Sequence, residues 1–253
     1  MRSQLQPAWE SFEPHDYLTS NYLVMNPNDA SIIAKVRDHF SDHFQGRRGR
    51  QRCEGIDIGS GPNLYPALVM LPWCDHVSLF DVSPANVHYL TEQLPSYDAL
   101  WDQFWDLLSS HQAYQPEAGP RSSFRAAVTV DAASIFDLRS CSGRWSMGTM
   151  FFLAESITMT PEGFRDAVAC FMNALQPGAP FAAAFMEHSS GFRIGADHFP
   201  AHDVDEGQVR DALVDHAEDL SIHRWERADG LIHSGHTGML LACGRREAGH
   251  RPS

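Results

Sequence analysis

Three observations predict an α/β fold with a Rossmann-like, doubly wound, seven-stranded sheet. A glycine turn, Asp57-Ile58-Gly59-Ser60-Gly61-Pro62, joins a short strand-like run to a segment with helical spacing at Leu64, Leu68 and Leu71. Strand-like and helix-like segments then alternate, as a parallel sheet with crossover helices requires. Two further strand-like runs flank the turn signal Asp229-Gly230, so the mostly parallel sheet is expected to end in an antiparallel hairpin.

The elements follow in order. Residues 1–50 are expected to form an N-terminal lid, holding Tyr17, Tyr22 and a helix from Asp29 to Phe44. In that helix Ile32, Ile33, Val36, Phe40 and Phe44 fall near helical spacing, and Asn28 or Asp29 offers a cap. Strand one spans 53–58, helix one 63–71 and strand two 76–81, and Pro84 opens a helix to Leu94. Residues 95–123 interrupt the alternation as an inserted cap: Trp101, Phe104, Trp105, Leu107 and Leu108 mark an amphipathic helix, and Gln112 to Ser123 an irregular loop. Strand three is expected at 124–130, on the alternation of Phe124, Ala126, Val128 and Val130. Strand four, 147–153, is apolar throughout, as a central parallel strand should be. Thr160-Pro161-Glu162 opens a helix that Gln176-Pro177-Gly178 ends, and strand five spans 180–186. A second insertion, 187–204, precedes a helix at 205–217 and strands at 219–226 and 237–243, completing a single domain over 1–253.

Length and 43% hydrophobic content suit one large α/β domain. A net charge of -13 speaks against a nucleic-acid partner, and the basic cluster Arg47-Arg48-Gly49-Arg50 with Arg52 reads as a solvated loop. No apolar run approaches a membrane span, and Met1 to Glu10 lacks the apolar centre of a signal peptide. Five scattered cysteines suggest reduced thiols in a cytoplasmic protein. His198 with His202, and His233 with His236, have spacings that can bind metal, but they lie in loop sequence without His-Glu-x-x-His or Cys-x-x-Cys, so no metal is expected.

The glycine turn carries the chemistry. A strand that turns into a helix through glycines brings backbone N–H groups close to a ligand. Leu64 stands where the third glycine of a dinucleotide fingerprint would pack under a pyrophosphate, which disfavours an NAD-dependent oxidoreductase. An acid at the strand end favours a ligand with a cationic amino-acid end, such as S-adenosylmethionine (SAM). Asp81 ends strand two, 22 residues past Gly59, the offset at which an acid accepts from ribose hydroxyls. Asp57, Asp81, Asp131, Glu155 and Glu187 all fall at strand carboxyl ends, where such sheets bind ligands. Each can also cap the following helix.

Beyond these residues, Asp16-Tyr17-Leu18 with Tyr22, Asp57 through Tyr65, and Asp81-Val82-Ser83-Pro84-Ala85-Asn86 resemble the nicotinamide, phenylethanolamine and thioether N-methyltransferase family. The likeness includes Leu175-Gln176-Pro177-Gly178 and Ser189 through Gly195, and extends from about Phe12 to Arg245. It implies a SAM-dependent methyltransferase acting on a small molecule, by default as a monomer. It also implies site roles. Tyr17 and Tyr22 close over the cofactor, Gly59, Ser60 and Gly61 approach its methionyl part with Tyr65 nearby, Asp81 and Asn86 hold the nucleoside, and Asp131-Ala132 flank the adenine. The chain departs from the family pattern on the substrate side, at Phe151-Phe152, Glu187-His188 and the insert from Tyr97 to Ser123.

An amine acceptor must lose a proton to expose its lone pair, so Glu155 and Glu187 are the candidate catalytic acids, with His188 a competing base. Phe152, Phe192 and Trp101 are expected to build an aromatic wall for a flat or cationic acceptor. Methylation of a small amine or nitrogen heterocycle is the leading expectation. Transfer to oxygen, sulfur or carbon, use of SAM itself as substrate with release of methylthioadenosine, and a non-catalytic SAM-binding module remain open.

Overall fold

The computed structural model describes residues 12–45, 53–115, 119–194, 197–199, 201–227 and 236–248. Seven strands form one sheet in the order β3-β2-β1-β4-β5-β9-β8. They are β1 (Glu54–Ile58), β2 (His76–Asp81), β3 (Val128–Ala132), β4 (Met147–Phe151), β5 (Pro180–Glu187), β8 (Ala217–Glu226) and β9 (Gly238–Arg246). Strands β1 to β5 pair in parallel, and β9 runs antiparallel to both β5 and β8. The fold is therefore the one the alternation predicts. A short ribbon, β6 (Phe192–Ile194) with β7 (Asp197–Phe199), stands apart from the sheet. From β1 the chain winds outward through β2 and β3, then returns past β1 to β4 and β5. That reversal leaves a crevice at the carboxyl ends of β1 and β4.

Helices cover both faces: α1 (Pro14–Asn21), α2 (Pro27–Phe44), α3 (Tyr65–Met70), α4 (Pro84–Gln93), α5 (Asp102–Ser109), α6 (Pro120–Ala127), α7 (Pro161–Ala174) and α8 (Glu206–Leu213). Successive side chains of a strand point to opposite faces, and β5 shows the result. Ala182 and Ala184 join a core with Val36, Phe40, Leu68 and Phe104, whereas Phe181, Ala183 and Phe185 join one with Phe164, Phe171 and Leu213.

Several sequence expectations change. Residues 120–127 form α6, and strand three begins only at Val128. Phe124 and Ala127 are buried three apart on one helix face, and Phe124 packs edge-on to Tyr97 at 5.3 Å, so the apparent period of two was accidental. The helix from 112 to 114 and α6 replace much of the expected loop. Asn26 caps α2, accepting from the Asp29 N–H at 2.9 Å, in place of Asn28 or Asp29. Strand four stops at Phe151 because Phe152 takes a left-handed φ of 55° and leaves the sheet. The helix expected to reach 217 ends at Leu213, and β8 starts at Ala217. Asp229-Gly230 lies outside the described residues. Among the described residues no helix is long and apolar enough to cross a membrane.

Candidate active site

A cavity of about 560 Å³ opens at the carboxyl ends of β1, β2, β4 and β5. That volume lies within the range of roughly 300–1,000 Å³ typical of small-molecule sites. On the β1–β3 side it is lined by Gly59, Gly61, Asn63, Asp81, Asn86 and the run from Ala132 to Asp137. On the β4–β5 side it is lined by Phe152, Leu153, Ile157, Met186, Ser189 and His236, with Phe12 and Tyr17 from the N-terminal segment.

The glycine loop is tied to the neighbouring strand. Gly59 and Gly61 have φ of 71° and 57°, a region that favours glycine. The N–H groups of Gly59 and Ser60 donate to the Phe80 carbonyl at 2.8 and 3.1 Å, and the Gly61 N–H donates to Asp81 Oδ2 at 2.8 Å. These donors thus hold the loop on β2 rather than pointing at a ligand, which corrects the expectation. Ser60 is buried and donates to the Asp57 carbonyl at 3.1 Å, a structural role.

Asp81 organises the β2 end. Its Oδ1 accepts from the Ser83 N–H at 2.8 Å and from Asn86 Nδ2 at 3.2 Å, leaving acceptor capacity on Oδ2 beside the Gly61 bond. Burial pushes its carboxyl up against these bonds. Asp57 bridges β1 to β4 by accepting from Thr149 Oγ1 at 2.7 Å, and burial raises it to about 7. Asp57 Oδ2, Asn63 Oδ1, Asn86 Oδ1 and Tyr65 Oη are buried polar atoms with no hydrogen-bond partner among the described residues. Such atoms are costly unless paired; Asn63 and Asn86 line the cavity, where a ligand's hydroxyl or ammonium donors would reach them, whereas Asp57 and Tyr65 do not line it.

The expected aromatic lid divides in two. Tyr17 faces the cavity. Tyr22 and Tyr65 are buried behind it in a ring chain, with centroids 5.7 Å from Tyr17 to Tyr22, 5.8 Å from Tyr22 to Tyr65, and 5.3 Å from Tyr65 to Phe104. Trp101 is fully buried beside Tyr22 and does not line the cavity, so the expected wall lacks it. Ala132 lines the cavity, but Asp131 is exposed and does not.

The candidate acids are also corrected. Glu187 is buried and gripped by Arg224, whose Nε donates to Oε1 and Oε2 at 2.8 and 2.9 Å, while Thr237 Oγ1 donates to Oε2 at 2.7 Å. The guanidinium holds its carboxyl below the usual range, and it does not line the cavity. Glu155 is fully buried behind the wall. Its Oε1 accepts from the Met186 N–H at 2.9 Å, and burial pushes it up to about 7. His188 turns outward to Asp203, Nδ1 to Oδ1 at 2.9 Å, away from the cavity. Phe152 does line the cavity, and its left-handed backbone is strain of the kind that clusters at functional sites. The side chain of Phe192 lies outside the described part of the structure. Asn63, Ser189 and His236 line the cavity without having been singled out as site residues. Ser189 was visible in the family-like segment, and His236 only as one of a spaced histidine pair.

Fold and site together define a class, a doubly wound enzyme with a nucleoside-sized cavity at the topological switch point. Residues 4–247 match the family model described as the NNMT/PNMT/TEMT family; the chain belongs to that family and is a SAM-dependent methyltransferase. Phenylethanolamine N-methyltransferase of Rattus norvegicus is 23% identical over 231 residues, covering 84% of this chain and 79% of its own. The N-methyltransferase NodS of Bradyrhizobium japonicum, solved with S-adenosyl-L-homocysteine, superposes with a TM-score of 0.56 at 12% identity, over 96% of this chain and 97% of that one. The CurJ carbon methyltransferase superposes at 0.58 with 11% identity, over 93% of this chain and 60% of that one. At these identities the superpositions establish the fold and leave the acceptor atom open.

Proposed function

We propose that this enzyme methylates the nitrogen of a small amine or nitrogen heterocycle by in-line displacement. The observation that carries this reading is the continuity of one cavity from Asp81 and Asn86 to Phe152 and Ser189. A donor held at one end therefore faces an acceptor held at the other. The rat relative, an N-methyltransferase by name, supports nitrogen as the acceptor atom.

SAM supplies an electrophilic methyl group when bound. The chain's residues supply position. Asp81 and Asn86 Oδ1 would accept from the ribose hydroxyls, and Ala132, Ile135 and Phe136 would flank the adenine. Asn63 Oδ1, beside the glycine loop, would accept from the amino-acid end. Tyr17 and Phe12 would exclude water from the acceptor side, and Phe152 would stack on a flat acceptor. Holding the lone pair in line supplies up to roughly 7–11 kcal/mol in the best intramolecular cases. No carboxylate lines the β4–β5 side among the described residues, so an uncharged aromatic nitrogen compound fits better than an ammonium. Glu155 would shape that wall through Met186.

Incubation with SAM and separate pools of aromatic amines, phenols and thiols, read by mass spectrometry, tests this. S-adenosylhomocysteine is expected with the amine pool. Its appearance only with phenols or thiols, or methylthioadenosine without any acceptor, would overturn the reading.

A further inference from the structure

We propose that His236 is the proton acceptor of the transfer, placed by a Glu187–Arg224–Thr237 clamp; this rests on the nitrogen reading above. The titratable side chains lining the cavity, among the described residues, are Tyr17, Asp81, Asp137, Arg139 and His236. Asp81 is engaged with Gly61, Ser83 and Asn86 on the β1–β3 side. Asp137 lies on that side too, accepting from the Ser134 N–H at 2.8 Å in a capping box. Arg139 is ion-paired with Asp166 and has no lone pair to offer. Burial pushes the Tyr17 phenol up, so it stays protonated. Among the described residues, only His236 places a basic nitrogen on the β4–β5 side.

The chain fixes that residue in place. The Thr237 N–H donates to the Glu187 carbonyl at 2.9 Å, and its hydroxyl to Glu187 Oε2 at 2.7 Å. Gly238 follows, where a Cβ would stand 2.6 Å from the Trp225 carbonyl oxygen and 3.1 Å from Glu187 Oε2. The tip of β9 is thereby locked between β5 and β8, with His236 buried against the cavity. Glu187 is a positioning residue. The charged and titratable groups on the neighbouring elements are Glu187 on β5 with its partner Arg224 on β8, Arg227, whose N–H donates to the Thr237 carbonyl at 3.0 Å, Tyr17 in the same cavity lining, and Glu155, which accepts from the Met186 N–H.

In the step, the acceptor nitrogen's lone pair forms the N–C bond as the C–S bond breaks, and sulfur keeps that pair as a neutral thioether. The proton left on nitrogen passes to the His236 ring and then to water. An acceptor without an N–H has no proton to give up.

Indoline, whose attacking nitrogen must lose its proton, and quinoline, whose nitrogen carries none, separate the roles. With indoline, His236→Gln is expected to lose about 100-fold or more in kcat/KM together with the acidic limb of its pH profile. With quinoline the loss stays within a few-fold. Equal losses with both probes, or an acidic limb removed by Glu155→Gln and kept in His236→Gln, would overturn the proposal. Proton NMR of the S-adenosylhomocysteine complex gives a readout independent of turnover: adding indoline should shift the His236 ring resonance. If nothing is methylated on nitrogen yet that resonance shifts, the nitrogen reading fails and the placement of His236 stands; an unmoved resonance removes His236 from the site.

Discussion

Leu153 fills the space that a side chain at Gly59 would need: a Cβ there would lie 2.4 Å from Leu153 Cδ1 and 2.8 Å from its Cγ. Both methyls and the branching carbon of the leucine stand in the way. Gly59 also has φ of 71°. Gly59→Ala is therefore expected to lower the thermal midpoint and weaken SAM binding at least about tenfold, combining overpacking with backbone strain of roughly 1–3 kcal/mol each. Adding Leu153→Ala should recover the steric part only. Full recovery in calorimetry and melting of the double variant would show that the φ does not matter.

Asp81→Ala should reduce SAM affinity far more than Glu187→Gln, because Asp81 lines the cavity and Glu187 does not. It removes the acceptor of the Gly61, Ser83 and Asn86 donors, at a cost of about 1–3 kcal/mol for donors left unpaired. Calorimetric titration of the two variants decides the matter, and equal affinities would refute the ribose role.

Glu187→Gln should instead act on stability. Its carboxyl is held below the usual range by Arg224, so the stabilisation is present above the ordinary glutamate range and lost as pH falls through the folded-state value. The variant should melt below wild type at pH 7, and the two curves should converge on acidification. A difference that is constant with pH would point to packing alone.

Asp29 is a buried carboxyl raised from 3.8 to about 7 by desolvation. Between these values the unfolded chain is ionised and the folded one protonated, so its stabilisation is present in acid and lost as pH rises toward 7. Asp29→Asn should flatten that part of the stability profile, gaining on wild type between pH 5 and pH 8 in urea titrations. Parallel profiles would refute the assignment.

Gly55→Ala should destabilise the fold at the opposite end of the sheet. A Cβ there would lie 2.9 Å from Cys74 Sγ and 3.2 Å from Met70 Sδ, at a cost of about 1–3 kcal/mol by urea denaturation.

The parallel part of the sheet and the placing of Asp81 and Asn86 at the cavity are legible in sequence because each rests on near neighbours. An acid, two glycines and a fixed offset are local facts. The grip on Glu187 is not legible, because its partner Arg224 lies 37 residues further on, in β8, and no local pattern shows that pairing. His236 was obscure for the same reason, since its place depends on where β9 begins. Strand three failed through period: Phe124, Ala126 and Val128 alternate, yet Phe124 and Ala127 share one buried helix face.

The cavity's two sides come from successive stretches of chain. One is built from the loops after β1, β2 and β3; the other from the ends of β4 and β5 and the start of β9, hung from the antiparallel hairpin. The molecule thus resembles a tool with a fixed handle and an exchangeable head. With the methyl source held by the earlier half, as proposed, substitutions in the later half would retune which compound is modified, and new acceptors would be within reach without rebuilding the enzyme.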